Sequence, residues 1–154
     1  MYCIDTSALL HGWKRDYPPD IFKSLWDNLT ELGQSNNLIS PDEVLLELKR
    51  GDDDLCAWME EREYIFIEPD EEAQKVVAEI VNRFPDFVPE ESHDGVWADP
   101  YVIAVAKVKN ATVVTGEKAV GPGAKRPKIP NICQELGIEC ITLLELIRRE
   151  GWTF

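Results

Sequence analysis

Short runs rich in Ile, Val, Tyr and Phe alternate along the chain with longer stretches whose apolar residues recur every three or four positions. The short runs predict strands over Tyr2–Ile4, Leu38–Ile39, Tyr64–Ile67, Thr112–Thr115 and Glu139–Ile141. The longer stretches predict helices over Ile21–Leu32, Asp53–Glu61, Glu71–Phe84, Ile129–Leu136 and Leu143–Glu150. Two further helices carry start signals. Ser40-Pro41-Asp42-Glu43 reads as an N-cap, a proline at the first helical position and a capping-box acid, for a helix running to about Arg50. Asp99-Pro100 opens another that runs to about Lys109, where Asn110 ends it. Strands separated by helices throughout imply a parallel sheet covered on both faces, a three-layer α/β domain. No internal repeat, low-complexity tract or Gly/Ser linker divides the chain, so residues 1–154 read as one domain.

Composition narrows the class. With 44% hydrophobic and 29% charged residues the chain is an ordinary globular one, not a disordered one. No apolar run approaches the roughly 18 residues of a membrane span. The start, Met1-Tyr2-Cys3-Ile4-Asp5, lacks the basic and apolar regions of a signal peptide. Cys3, Cys56, Cys133 and Cys140 form neither a CxxC pair nor a disulfide framework, so reduced thiols in a cytoplasm are the expectation. The net charge of −13 argues against loose electrostatic binding to nucleic acid or anionic membrane. The charge is uneven, however: Lys107, Lys109, Lys118, Lys125, Arg126 and Lys128 fall in one segment whose only acid is Glu117. Such a cluster reads as a solvated loop or as an anion-facing rim on an acidic body.

In open parallel sheets the ligand crevice lies beyond the carboxyl ends of the strands, where the strand order reverses. Asp5 follows the first predicted strand directly and Glu117 follows the fourth within two residues. No glycine-rich phosphate cradle of the GxGxxG or GxxxxGK[ST] kind accompanies them. Four carboxylates stand out: Asp5, Glu47 in mid-helix among apolar neighbours, Asp99 and Glu117. Most have an ordinary role available. Asp5 could cap a helix starting at Thr6, Asp99 could cap the helix opened by Pro100, and Glu117 could be a turn acid. Glu47 is the hardest to explain that way, because Glu43 already accounts for the capping box.

Taken together, Cys3-Ile4-Asp5-Thr6-Ser7, Glu47-Leu48, Ala98-Asp99-Pro100-Tyr101-Val102-Ile103-Ala104 and Val113-Val114-Thr115-Gly116-Glu117 resemble the PIN-domain family of metal-dependent nucleases. The C-terminal part, from Lys128-Ile129-Pro130-Asn131-Ile132-Cys133 through Cys140-Ile141-Thr142-Leu143-Leu144-Glu145-Leu146, is similar to a PIN-like subgroup known as domain of unknown function 4411. The resemblance implies a five-stranded sheet in the order 3-2-1-4-5 and one acidic pocket. It implies that Asp5, Glu47, Asp99 and Glu117 hold Mg²⁺ or Mn²⁺ and act in catalysis, with Glu117 standing where many members carry Asp. Thr6, Ser7 and Thr115 are the implied supporting hydroxyls. The implied activity is endoribonuclease cleavage of RNA, with Lys118, Lys125, Arg126 and Lys128 holding flanking phosphates. It extends to the toxin half of a toxin–antitoxin pair with a protein antitoxin as partner, and leaves room for a homodimer. The alternative is a degraded, non-catalytic RNA- or protein-binding module, favoured by Glu at 117.

The residue chemistry suits that expectation. Mg²⁺ and Mn²⁺ prefer hard oxygen ligands. Without a cation, two carboxylates about 5 Å apart repel by about 3 kcal/mol at an effective dielectric of about 20. Rival constellations are poorer. His93-Asp94 resembles an HD phosphohydrolase pair, but His11 and His93 are the only histidines. Zinc lacks a ligand set for the same reason. Asp5-Thr6-Ser7 lacks the second acid of an aspartyl-phosphate motif, and the five tryptophans read as core rather than base-stacking platforms.

Overall fold

A computed structural model describes residues 1–51, 53–89 and 97–154; His93 and Asp94 lie outside the described residues. Strands β1 (Tyr2–Ile4), β2 (Leu38–Pro41), β3 (Phe66–Ile67), β4 (Thr112–Val114) and β5 (Cys140–Ile141) form one all-parallel sheet in the order β3-β2-β1-β4-β5. Cys3 pairs with Ile39 on one side and with Val113 on the other. The central strand is buried along its whole length, as its unbroken apolar run requires in a sheet covered on both faces. Strand order reverses at β1, which has β2 on one side and β4 on the other. Beyond β1 and β4, at their carboxyl ends, lies the crevice of such a sheet.

Eight α-helices surround the sheet among the described residues: α1 (Thr6–His11), α2 (Lys23–Gln34), α3 (Asp42–Leu48), α4 (Asp53–Glu60), α5 (Glu71–Arg83), α6 (Asp99–Lys109), α7 (Ile129–Leu136) and α8 (Leu143–Glu150). α6 is apolar nearly all round, and it is correspondingly buried, packed against α5, β1, β2 and β4. Asn110 ends it in the left-handed region at φ 54°, which Asn tolerates better than most residues. Trp13, Trp26 and Trp58 pack on one another with ring centroids 4.9–5.7 Å apart, a core role for three of the five tryptophans.

Several boundaries differ from the sequence reading, each for a visible reason. Ser40 is not a helix cap. Strand β2 continues through it to Pro41, and its buried hydroxyl donates to the Ile4 carbonyl at 2.8 Å, so no capping box forms with Glu43. The third strand is shorter than Tyr64–Ile67 because Glu63–Ile65 turns as a 3₁₀ helix first. The stretch after Asp5, which periodicity did not place among the helices, is α1 followed by a π-helical turn over Gly12–Asp16. No described helix is long and apolar enough to cross a membrane.

Candidate active site

Chain direction brings Asp5 to the carboxyl end of β1 and Thr115 to the carboxyl end of β4, side by side. Asp5 is 2% exposed. One of its carboxylate oxygens accepts the Ala8 N–H at 2.8 Å, making Asp5 the N-cap of α1. The other accepts the Thr115 hydroxyl at 2.6 Å, and the Ser7 hydroxyl lies within 2.9 Å of both. Capping and membership of an acidic site are thus not alternatives at this position. Burial pushes its pKa up to about 6 against these three sets of donors, which favour the charged form, and the nearby Glu117 carboxylate pushes it further.

Three more acids reach the same neighbourhood from separate segments. Glu47, on α3, turns one carboxylate oxygen to the Ala98 N–H at 2.8 Å, so α3 supplies a side-chain acceptor at the start of α6. Its pKa is raised by burial and by Glu117, and held back by the Ala98 N–H and by Arg50. Asp99 is the first residue of α6 rather than its cap; Ala98 occupies the cap position, with no side-chain capping bond. Freed of that role, Asp99 is raised to about 7 by burial first and then by Glu117, Asp5 and Glu47, with the Trp97 side chain easing it down. Glu117, after β4, accepts the Ile129 N–H at 2.9 Å and so caps the start of α7. Of the four carboxylates that the sequence singled out, the other three all act on Asp99, and Glu117 also acts on Asp5 and Glu47.

The supporting residues divide. Ser7 and Thr115 bind Asp5, and Ser7 also accepts the Gly116 N–H at 2.9 Å. Thr6, expected beside them, does not join: its hydroxyl oxygen is buried without a hydrogen-bond partner. Gly116 must lack a side chain, because a Cβ there would sit 2.5 Å from His11 Nδ1 and 3.2 Å from the Ser7 carbonyl. His11 escaped the sequence reading. The signal was its spacing: on a helix starting at Thr6, Ser7 and His11 are four residues apart and share a face.

The basic segment is split by the fold. Lys118 lines two cavities beside Thr115. Lys125 and Arg126 line a different one, against Pro85, Asp86, Val88 and Pro89. The Arg126 Nε donates to the Phe87 carbonyl at 3.0 Å, and its guanidinium lies 5.5 Å from the Trp97 ring centroid. The Lys128 backbone N–H is bound by Asn131 at the start of α7.

Hard carboxylate and hydroxyl oxygens are the donor set that Mg²⁺ or Mn²⁺ takes. Among the described residues no three His, Cys, Asp or Glu side chains already surround one point. A Mg²⁺ site does not need three, since that ion binds through one or two carboxylates and keeps its waters. Glu47 and Glu117 each turn one oxygen to an N–H at a helix start, where the partial positive charge favours a carboxylate.

Strand order and helix arrangement are those of a PIN-like domain. The chain belongs to the family of the domain of unknown function DUF4411, whose model matches residues 2–154. No curated protein matches it. Two solved structures share the fold. VapBC2 from Rickettsia felis, solved bound to a DNA fragment from their promoter, has a TM-score of 0.55 and 15% identity, with 92% of this chain and 97% of that chain covered. FitAcB from Neisseria gonorrhoeae has a TM-score of 0.52 and 17% identity, with 92% and 96% covered.

Proposed function

We propose that this protein is a Mg²⁺- or Mn²⁺-dependent endoribonuclease that hydrolyses RNA phosphodiester bonds at the Asp5–Glu47–Asp99–Glu117 centre. The observation that supports the reading is electrostatic: acids from four chain segments act on one another, Glu117, Asp5 and Glu47 on Asp99, and Glu117 also on Asp5 and Glu47. In this reading Asp5, Glu47 and Asp99 would hold the ion, with Glu117 as a fourth ligand in weaker or water-mediated contact. The bound ion supplies phosphoryl polarisation and a more acidic water. The chain supplies the rest. Ser7 and Thr115 fix the Asp5 carboxylate in one orientation, Gly116 keeps the backbone close to His11, and Lys118 stands beside the acids to take a phosphate. The likeness in fold to VapBC2 and FitAcB, together with the PIN resemblance, supports a toxin role in the cytoplasm opposed by a protein antitoxin, with self-association into a homodimer compatible with it.

The test is cleavage of single-stranded and structured RNAs with Mg²⁺ or Mn²⁺, beside binding measured in Ca²⁺. Metal-dependent cutting that Asp99→Asn abolishes supports the reading. A second reading, a binding module with a degraded site, is favoured by one observation: the Glu117 carboxylate is already engaged by the Ile129 N–H. Protein that binds RNA and cuts none with either metal would establish that alternative.

A further inference from the structure

A depression at the carboxyl ends of β4 and β5 has two arms, cavities of about 530 and 250 Å³ that adjoin at Thr115, Lys118 and Thr142, which line both. Its larger arm passes Glu117 and runs to Glu139, Glu145 and Arg149. Its smaller arm lies between the π-helical turn after α1 and the start of α8, and carries His11, Arg15 and Lys118 with Asp16 as its one acid. We infer that the smaller arm is a phosphodiester-binding subsite in which His11, Arg15 and Lys118 hold the backbone of the RNA strand on its way from the acidic centre. The inference rests on the ribonuclease reading and deepens it by assigning the strand's path.

Three observations carry it. First, charge separates the arms: the larger holds three acids against Lys118 and Arg149, whereas the smaller holds two permanent cations and an imidazole against one acid. On a chain of net charge −13 the smaller arm is thus a place where cations outnumber acids and a polyanion can lie. Second, the donors are available. Among the described residues Arg15 pairs with its neighbour Asp16, at 3.0 Å, and its side chain is 67% exposed. Such an exposed pair is weak, so a phosphate can replace Asp16 and take the guanidinium fork bidentately. Third, the arm abuts the centre. The His11 ring lies against Gly116, the residue between Thr115, which donates to Asp5, and Glu117. Lys125 and Arg126, by contrast, face the Pro85–Pro89 cavity and line neither arm.

The experiment measures binding of a fluorescent single-stranded RNA in Ca²⁺ across a salt series, beside KM and kcat for cleavage in Mn²⁺. Arg15→Gln/Lys118→Gln should flatten the dependence of log K on log salt by about 1.4, at about 0.7 per lost phosphate contact on a single strand, and raise KM more than it lowers kcat. His11→Gln should weaken binding with the salt slope nearly unchanged. Arg15→Lys, which keeps the charge, should restore the slope. Lys75→Gln, on α5 and lining neither arm, should leave slope and KM as in wild type. Wild-type protein that cuts RNA while the double variant binds and titrates like it would overturn the subsite and leave the ribonuclease reading standing. A slope that follows Lys125→Gln instead would move the strand to the other cavity, and wild-type protein that binds no RNA would overturn both.

Discussion

At the amino end of the edge strand β5, Glu139 accepts two N–H groups of Arg149 at 2.6 and 2.9 Å and the Thr112 hydroxyl at 2.9 Å, at the exposed surface. At the carboxyl end of the central strand β1, Asp5 also accepts several hydrogen bonds, but it is buried and its nearest charged neighbours are carboxylates. The two acids respond in opposite directions. Arg149 and Thr112 hold Glu139 down at about 2, whereas burial lifts Asp5 to about 6 and Asp99 to about 7. The difference lies in the counter-charge. One end of the sheet brings its own cation, while the other gathers acids whose charge a divalent ion would balance.

The largest expected effect separates the two ends by activity. Even outer-shell partners of metal sites cost about 10–100-fold when removed, so Asp99→Asn should lower metal-dependent RNA cleavage by more than about 10²-fold. Glu139→Gln should leave it unchanged. Cleavage at wild-type rate by Asp99→Asn would erase the distinction.

The next effect is on stability against pH. Asp5 and Asp99 have folded-state pKa values above their unfolded ones, so the folded protein binds more protons between about pH 4 and 7. Stability of the metal-free protein should therefore be fullest below pH 4, as far as these groups contribute, and fall as pH rises through 6 and 7. Each unit of separation is worth about 1.4 kcal/mol. Saturating Mn²⁺ should remove the fall, because it binds the ionised forms. Urea melts across this range with and without Mn²⁺ check it; metal-free stability rising from pH 4 to 7 would contradict the cluster.

A smaller effect is that of neutralising one member. Asp99→Asn should raise the metal-free melting temperature at pH 8 by about 2–4 °C for each kcal/mol of repulsion relieved, and abolish the rise caused by Mn²⁺. Asp99 suits this test better than Asp5, because Asp5→Asn also disturbs the cap on Ala8 and the bonds from Ser7 and Thr115.

The smallest effect is at the other end. Glu139 is depressed, so its contribution is present above its unfolded pKa and lost as pH falls from about 4.5 to about 2. Because the pair is exposed, Arg149→Gln should barely move the melting temperature at pH 7, and salt should screen what change there is. A large loss would mean that the Arg149 bridge matters more to the fold than its exposure allows.

The sequence by itself determined the layered α/β architecture, since short runs rich in Ile, Val, Tyr and Phe alternate along it with longer runs of period 3.6, a pattern that buries its faces in a parallel sheet covered by helices. It also singled out the four acids, because carboxylates at strand ends or among apolar neighbours stand out locally. The strand order came from resemblance to a family, not from periodicity, which carries no information on which strands pair. Only the tertiary structure decided what each residue does. Ser40 has the composition of a cap but serves the Ile4 carbonyl, because β1 lies beside it. Asp99 looks like a cap but is the first helical residue, one position too late, with Ala98 at the cap and Glu47 of another helix accepting the Ala98 N–H. The basic segment, continuous in sequence, separates so that Lys118 lines the two-armed depression and Arg126 binds the Phe87 carbonyl. Partners distant in the chain settle these roles through burial and hydrogen bonding, and neither is written in local sequence.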